Sequence, residues 1–228
     1  MADLRKKVLG TVSGSVGDIL FRVRNGKNYL GTKPLSFMPG TDENSIQRRK
    51  RFAMATRLAK PINSIYPLKS LWKQAAPSPL SSFNMIVRTN YNSVQSDAIS
   101  DTVNIVPDIG FSIRFSSIAI DENHFRISID AITSGSGINP AVELNFQLAG
   151  ILHLSNPLDP TQEGHRFLQL LSDEQAVVLN TELNFEIVFQ DKLSQLVAMY
   201  QDRKVFLTLL TLNVDNQVVN YSNTFFNT

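Results

Sequence analysis

The chain has 228 residues, 43% of them hydrophobic, which is enough to bury at least one core. Its net charge of +2 hides a division: residues 1–88 carry 16 Lys/Arg and 4 Asp/Glu (+12), whereas residues 89–228 carry 6 and 16 (−10). The absence of cysteine excludes disulfides, thiolate metal sites and cysteine nucleophiles. The charge division predicts a basic surface for an acidic partner, either nucleic acid, a membrane surface or the acidic half of a second copy, unless both halves simply carry solvating charge.

Residues 1–40 predict a Gly-rich β-hairpin arm. Asn25-Gly26 separates two β-prone runs, and this dipeptide favours a two-residue turn because both of its residues tolerate positive φ. An isolated hairpin is barely stable in water, so the arm is expected to pack on its own subunit or on another chain. The candidates for that packing are Val16, Ile19, Phe21 and Tyr29, for which a place in the core of one subunit is an equal alternative.

Residues 41–95 predict a basic helical segment. Apolar residues recur at helical spacing over 44–66, and Asn44 with Gln47 is the predicted capping pair. Pro61 is expected to kink or divide this helix because it lacks an amide proton and collides with the preceding turn. A second helix is predicted to begin with Ser78 as N-cap and Pro79 at the first helical position.

The first predicted helix also carries a cluster of positive charge that is a candidate contact surface. The candidate subunit-interface residues are Arg48, Arg49, Arg51, Arg57 and Lys60. Such a cluster can meet the acidic half of a neighbouring subunit or follow a phosphate backbone. No helix-turn-helix, zinc finger or aromatic platform accompanies it, so sequence-specific reading of nucleic acid is not expected.

Residues 96–228 predict an acidic β-sandwich. Apolar and polar residues alternate over 111–115 and 125–132, and the turn at 121–124 joins these runs as an antiparallel pair. Further strands are predicted at 141–148, 182–189, 205–214 and 217–224, with a short crossover helix at 191–201. The predicted fold class is therefore α+β, with an N-terminal β-hairpin and helical segment followed by an all-β, immunoglobulin-like sandwich.

The residues that usually carry catalysis form no recognisable constellation. His124, His153 and His165 stand apart in sequence with no metal-ligand spacing, and the glycines at 10–17 match neither a P-loop nor a Rossmann loop. The Ser-Gly repeat at 134–137 is not a nucleophile elbow. We therefore predict no enzyme activity, no catalytic residue, no metal site and no cofactor.

Four sequence patterns together resemble an uncharacterised family of Bacteroidota and phage-associated proteins of about this length. They are Leu9-Gly10-x-x-Ser13-Gly14-x-Val16-Gly17, Gln47-x-x-x-Arg51-Phe52-x-x-Ala55, Phe83-Asn84 and Asp215-Asn216-Gln217-Val218-Val219-Asn220-Tyr221-Ser222-Asn223. The family pattern has a tryptophan soon after the glycine cluster, where this chain has Phe21 and Tyr29. The resemblance implies a helical N-terminal portion, an immunoglobulin- or fibronectin-like sandwich and no assigned activity.

The sequence as a whole predicts a structural protein that self-associates into a ring or filament. With the phage resemblance, the expected setting is a virion part such as a tail, connector or ring protein, made in the host cytoplasm. Expected partners are further copies of the chain and other virion structural proteins. No signal peptide or stretch of about 18 apolar residues occurs, so no membrane partner is expected. The alternatives are a bacterial extracellular filament subunit and a non-specific nucleic-acid-binding protein.

Overall fold

The computed structural model describes residues 2–3, 13–24, 26–34, 36 and 38–227 and has mixed α+β architecture, as predicted. It contains two compact units, Met1–Ile46 (the arm unit) and Gln47–Thr228 (the main unit). The helices are α1 (Glu43–Ser64), α2 (Tyr66–Ala75), α3 (Ser82–Asn90) and α4 (Asp191–Ala198). The strands are β1 (Ala2–Asp3), β2 (Gly14–Val16), β3 (Ile19–Arg24), β4 (Lys27–Thr32), β5 (Phe115–Ile120), β6 (His124–Ile129), β7 (Asn145–Pro157), β8 (His165–Leu171), β9 (Gln175–Ala176), β10 (Leu183–Val188), β11 (Tyr200–Leu212), β12 (Val218–Tyr221) and β13 (Phe225–Phe226).

The arm unit contains a four-stranded sheet in the order β1-β4-β3-β2. Strands β3 and β4 pair antiparallel along their whole length, which confirms the predicted hairpin. Of its predicted turn, Asn25 lies outside the described residues, and Gly26 has φ +73°. This left-handed conformation favours glycine because a side chain there would crowd the backbone.

The first helix differs from its prediction at both ends. The Asp42 carboxylate accepts a hydrogen bond from the Ser45 amide at 2.8 Å, so the predicted capping pair of Asn44 and Gln47 is wrong. An Asp side chain accepts a hydrogen bond from a free amide of the first helical turn as well as an Asn side chain does. Helix α1 also continues through Pro61, and the chain breaks only after Ser64, before α2 begins.

The helix predicted from Ser78 begins three residues later. Ser81 is the residue that caps α3, since its hydroxyl accepts a hydrogen bond from the Asn84 amide at 3.2 Å. Ser78 and Pro79 lie in the loop before it. The prediction failed because three Ser residues, Ser78, Ser81 and Ser82, precede the buried residues of this helix, and sequence alone does not say which amide group each can reach.

The main unit is built in three layers, with a six-stranded sheet between the helices and a three-stranded sheet. Strands β7 and β11 form its centre, pair antiparallel over their full lengths and are flanked by β8 and β12. Successive side chains of a strand face opposite sides, so both strands supply two cores. On one side Ile151 and Phe206 pack in a cluster with Trp72 of α2, while on the other Leu152 and Val205 join the core of the three-stranded sheet.

The three-stranded sheet has the order β10-β6-β5, and both of its strand pairs are antiparallel. Its buried face consists of Phe125, Ile127 and Ile129 of β6 with Leu183 and Phe185 of β10. The predicted pair around the 121–124 turn is therefore present, but its first strand is Phe115–Ile120 rather than 111–115. Strand β8 was not predicted, because half-buried edge residues obscure the alternation there.

Candidate functional site

Helices α1–α3 of the main unit carry a set of exposed positive charges that we call the basic face. From 47 to 88 the sequence contains nine Lys/Arg and no Asp/Glu. Six of these cations are exposed and form no ion pair with any residue that the structure describes. The basic face consists of Lys50, Arg57, Lys60, Lys69, Lys73 and Arg88. Two of the predicted interface residues, Arg57 and Lys60, belong to it.

The other predicted cations of α1 are placed differently. The Arg51 guanidinium donates hydrogen bonds to the carbonyl oxygens of Tyr91 (2.9 Å) and Val94 (2.8 Å), and its central carbon lies 4.6 Å from the Tyr91 ring centre. Arg51 therefore stabilises the end of α3 within its own subunit. Arg48 and Arg49 are exposed in the first turns of α1, and both already have interaction partners.

The β-sheets, the loops around them and α4 carry the matching negative charge. Eleven exposed carboxylates there have no ion-pair partner among the described residues. They are Asp97, Asp108, Glu122, Asp130, Asp159, Asp173, Glu174, Glu182, Asp191, Asp202 and Asp215. The main unit therefore presents unneutralised charge of both signs on different elements, an arrangement that allows one copy to attract another.

The arm unit divides the predicted packing residues between the two faces of its sheet. Cross-strand partners share a face, and the pairing of Val16 with Ile19 places these two on the same face as Phe21. Tyr29 is paired with Arg22 and lies on the opposite face. Val16 and Ile19 are 71% and 42% exposed, so this apolar face is accessible.

A second feature is a cleft of about 760 Å³ at one end of the six-stranded sheet, which sequence reasoning missed. Its floor contains His153 of β7 and His165 of β8, whose Nε2 and Nδ1 atoms are 3.0 Å apart. The ring centres are 5.3 Å apart, which equals the distance between the two nitrogens plus the radius of each ring. The two rings are therefore nearly coplanar and joined end to end by a single N–H···N hydrogen bond. The sequence had suggested three isolated histidines, and only antiparallel pairing of β7 with β8 brings these two together.

The environment of this histidine pair keeps it uncharged. His153 is only 5% exposed, and a face of its ring stacks on Phe167 with ring centres 4.8 Å apart. Burial, followed by the positive charges of His165 and Lys204, lowers the pKa of His153 to about 4. Burial and the nearby Arg57 also lower the pKa of His165. At neutral pH the pair is therefore a hydrogen-bonded structural element of the sheet.

The remaining groups of the cleft do not favour one kind of ligand. Lys204 forms an ion pair with Asp101 and lies 5.2 Å from the Phe226 ring centre, so its ammonium already has partners. The facing nitrogens of His153 and His165 point at each other instead of at a shared third point, and a chelated metal would require both rings to turn. Among the described residues, no group of three His, Asp or Glu side chains is placed to hold a metal ion.

None of the helices in the described part of the chain combines the length and apolar character needed to cross a membrane.

Comparisons with known proteins add no family. No protein-family model matches the chain, and no curated protein matches it. One solved structure with a partial likeness is a β-glucosidase from Kluyveromyces marxianus, with 8% sequence identity and a TM-score of 0.22. The likeness covers 52% of this chain and 14% of that chain. A likeness of this size supports no conclusion about fold or function.

Proposed function

We propose that this chain is a non-enzymatic structural subunit that self-associates through contact between its basic face and the acidic β-sheet region of a neighbouring copy. The observation that carries the proposal is the basic face itself: six exposed cations without an ion-pair partner among the described residues, in a stretch that contains no acidic residue. Solvation alone is usually achieved with mixed charges, so a surface of one sign favours an acidic partner.

A second copy satisfies this requirement without any other molecule. The eleven exposed carboxylates without an ion-pair partner lie outside α1–α3, so a basic face on one copy meets a different surface on the next. A contact between two different surfaces is heterologous, and repeating it closes a ring or extends a filament. Complementary charge accelerates such association and fixes its orientation more than it increases the affinity.

The two β-sheets of the main unit support an immunoglobulin-like sandwich as the body of the subunit. They pack face to face through one shared apolar cluster, and every strand pair within them is antiparallel. The helices cover the outer side of the larger sheet, which is an addition to a simple sandwich. With the resemblance to phage-associated proteins, we propose a virion component, such as a tail, connector or ring protein, made in the host cytoplasm.

Charge reversal on the basic face tests this function. Arg57→Glu/Lys60→Glu replaces two exposed cations of α1, and we expect it to abolish the assemblies that wild-type protein forms at low salt. Lys192→Glu is the matched control, because Lys192 is an exposed lysine on α4, outside the basic face. Light scattering coupled to size exclusion measures the mass of each variant. Equal assembly by all three proteins, or a monomeric wild type, contradicts the proposal.

Nucleic acid is the competing partner for the same cations. Non-specific binding to a phosphate backbone releases counterions, so its affinity falls steeply as salt rises. Titration of the full chain into fluorescent duplex DNA at low salt separates the two functions. Self-association predicts large assemblies in the absence of DNA, whereas salt-sensitive DNA binding by a protein that stays monomeric would replace our proposal with nucleic-acid binding.

A further inference from the structure

Strand β5 is an edge strand whose outer side is open. It pairs with β6 alone, and the Asp121 amide donates to the His124 carbonyl across the turn at 3.0 Å. In an antiparallel strand, the backbone N–H and C=O groups of successive residues point alternately toward and away from the partner strand. The backbone groups of Ile118 and Ile120 therefore point away from β6. In the described part of the chain, no residue hydrogen-bonds to those outward groups. The strand therefore presents unused donors and acceptors in a row.

The sequence of β5 does not protect this edge. Proteins usually block an open edge with a charge or a proline within the strand. The two other long edge strands follow this rule, with Arg166 in β8 and Glu186 in β10. Strand β5 has the sequence FSSIAI and contains neither, and its one irregularity is a register shift between Phe115 and Ser117. The stretch from Ser117 to Ile120 is a regular, uncharged edge.

Charges of opposite sign stand at the two ends of β5. Arg114 precedes the strand, and Asp121 and Glu122 follow it. Arg114 and Glu122 are exposed and have no ion-pair partner among the described residues, while Asp121 pairs with Arg126 at 3.3 Å. When two copies of such a strand run antiparallel, the basic end of each lies beside the acidic end of the other. Parallel pairing places like charges together instead.

We propose that β5 pairs with β5 of a second copy, antiparallel and about a two-fold axis, to form a dimer. The contact joins two three-stranded sheets into one continuous six-stranded sheet, in which Arg114 of each copy meets the Asp121–Glu122 turn of the other. The same surface is used on both sides, so the contact is isologous and closes on itself. An interface of one short strand pair is small, so the dimer is weak and depends on protein concentration.

This contact extends the proposed function and is physically separate from it. The basic face makes a heterologous, salt-sensitive contact, whereas the β5 contact consists mainly of backbone hydrogen bonds and is less sensitive to salt. An assembly that uses both is built from dimers. If the basic face makes no contact, the β5 dimer still forms.

The absence of cysteine makes cross-linking a direct test, because one introduced cysteine is the sole thiol of the chain. Ser117→Cys and Ala119→Cys place it on the exposed face of β5, and Val214→Cys, at a residue 78% exposed between β11 and β12, is the control. Pairing raises the effective concentration of facing thiols, so under mild oxidation we expect at least one β5 variant to form covalent dimers about tenfold faster than the control, or more. Equal rates at all three positions overturn the proposal.

Charge exchange tests the register and the orientation. In the more reactive cysteine background, Arg114→Glu or Glu122→Arg alone should slow cross-linking because each places like charges together, and the double exchange should restore it. An unchanged cross-linking rate in both single variants and in the double variant refutes antiparallel pairing with these ends in register.

The two proposals fail separately. If the β5 cysteine variants do not cross-link but salt-dependent assembly still occurs, only the edge contact is refuted. A β5 cysteine cross-link that still forms when Arg57→Glu/Lys60→Glu is added supports the edge contact. If the wild-type chain also shows no salt-dependent assembly, only the basic-face contact is refuted.

Discussion

Acid should destabilise the fold through the histidine pair, and the size of the effect follows from the structure. His153 has a pKa of about 4 in the folded chain and 6.5 as its ordinary value, so the unfolded chain binds the proton more readily. Its contribution to stability is complete above pH 6.5 and is lost as the pH falls toward 4. At 1.36 kcal/mol per pKa unit, the loss is about 2 kcal/mol at pH 5 and about 3 kcal/mol well below pH 4.

Urea denaturation at pH 7.5 and pH 5 measures this loss. His153→Gln replaces the ring with an amide that does not titrate, so the variant should lack about 2 kcal/mol of the pH-dependent decrease that wild type shows. His124→Gln is the matched control, because His124 is the first residue of β6, in the three-stranded sheet, and its replacement leaves the buried pair intact. The control should retain the wild-type pH dependence.

Two results would refute this reasoning. One is the same decrease in unfolding free energy for wild type and His153→Gln, because the loss then comes from other groups. The other is an NMR titration in which His153 in the folded chain takes up its proton near pH 6.5, since the pair then gives no acid sensitivity.

Substitutions at three further residues test individual contacts in the main unit by urea denaturation at neutral pH. Trp72→Phe removes the indole N–H that donates to the Ile105 carbonyl at 2.8 Å, and leaving that buried oxygen unpaired should cost about 1–3 kcal/mol; an unchanged midpoint would show the bond to be dispensable. Arg51→Ala should cost about 1.5–3 kcal/mol of unfolding free energy by removing charged hydrogen bonds to two carbonyls. Arg51→Lys should recover only part of this stability because lysine lacks the planar guanidinium. Full recovery by lysine would contradict this. Gly150→Ala places a Cβ against the Phe206 carbonyl oxygen of the paired strand and should cost about 1–3 kcal/mol, whereas a neutral result would mean that β7 and β11 can shift apart.

The sequence was most informative where a local rule determines the structure. The dipeptide Asn25-Gly26 predicted the β3–β4 hairpin, and alternation with a polar turn at 121–124 predicted the β5–β6 pair. The short helix expected over 191–201 is α4. In each case the neighbouring residues alone decide the backbone conformation, so no knowledge of distant contacts was needed.

Features that depend on distant residues were not predictable. Helical spacing over 44–66 includes Phe52, but Phe52 is exposed, because the main core lies on the side of α1 that carries Met54 and Leu58. Tyr66, at the end of the same stretch, begins α2 and is also exposed. The role of Arg51 depends on carbonyl groups some forty residues away. Helical spacing identifies an apolar side but not the element that will cover it.

The histidine pair shows the same limit at the cleft. His153 and His165 are twelve residues apart, and they meet only because β7 and β8 pair in one register. A shift of one residue would place them on opposite faces. The sequence places a histidine near each end of what could be a hairpin. Because β8 was not predicted as a strand, this placement did not indicate that the two histidines meet.

Mass measurement of the wild-type chain across a salt series tests self-association most directly. Sedimentation velocity at micromolar concentration in about 50 mM and about 500 mM salt, with negative-stain imaging of the low-salt sample, spans a several-fold change in charge screening. We predict rings or filaments at low salt, and their dissociation to dimers or monomers at high salt. A strict monomer at every concentration and salt level would contradict the central claim.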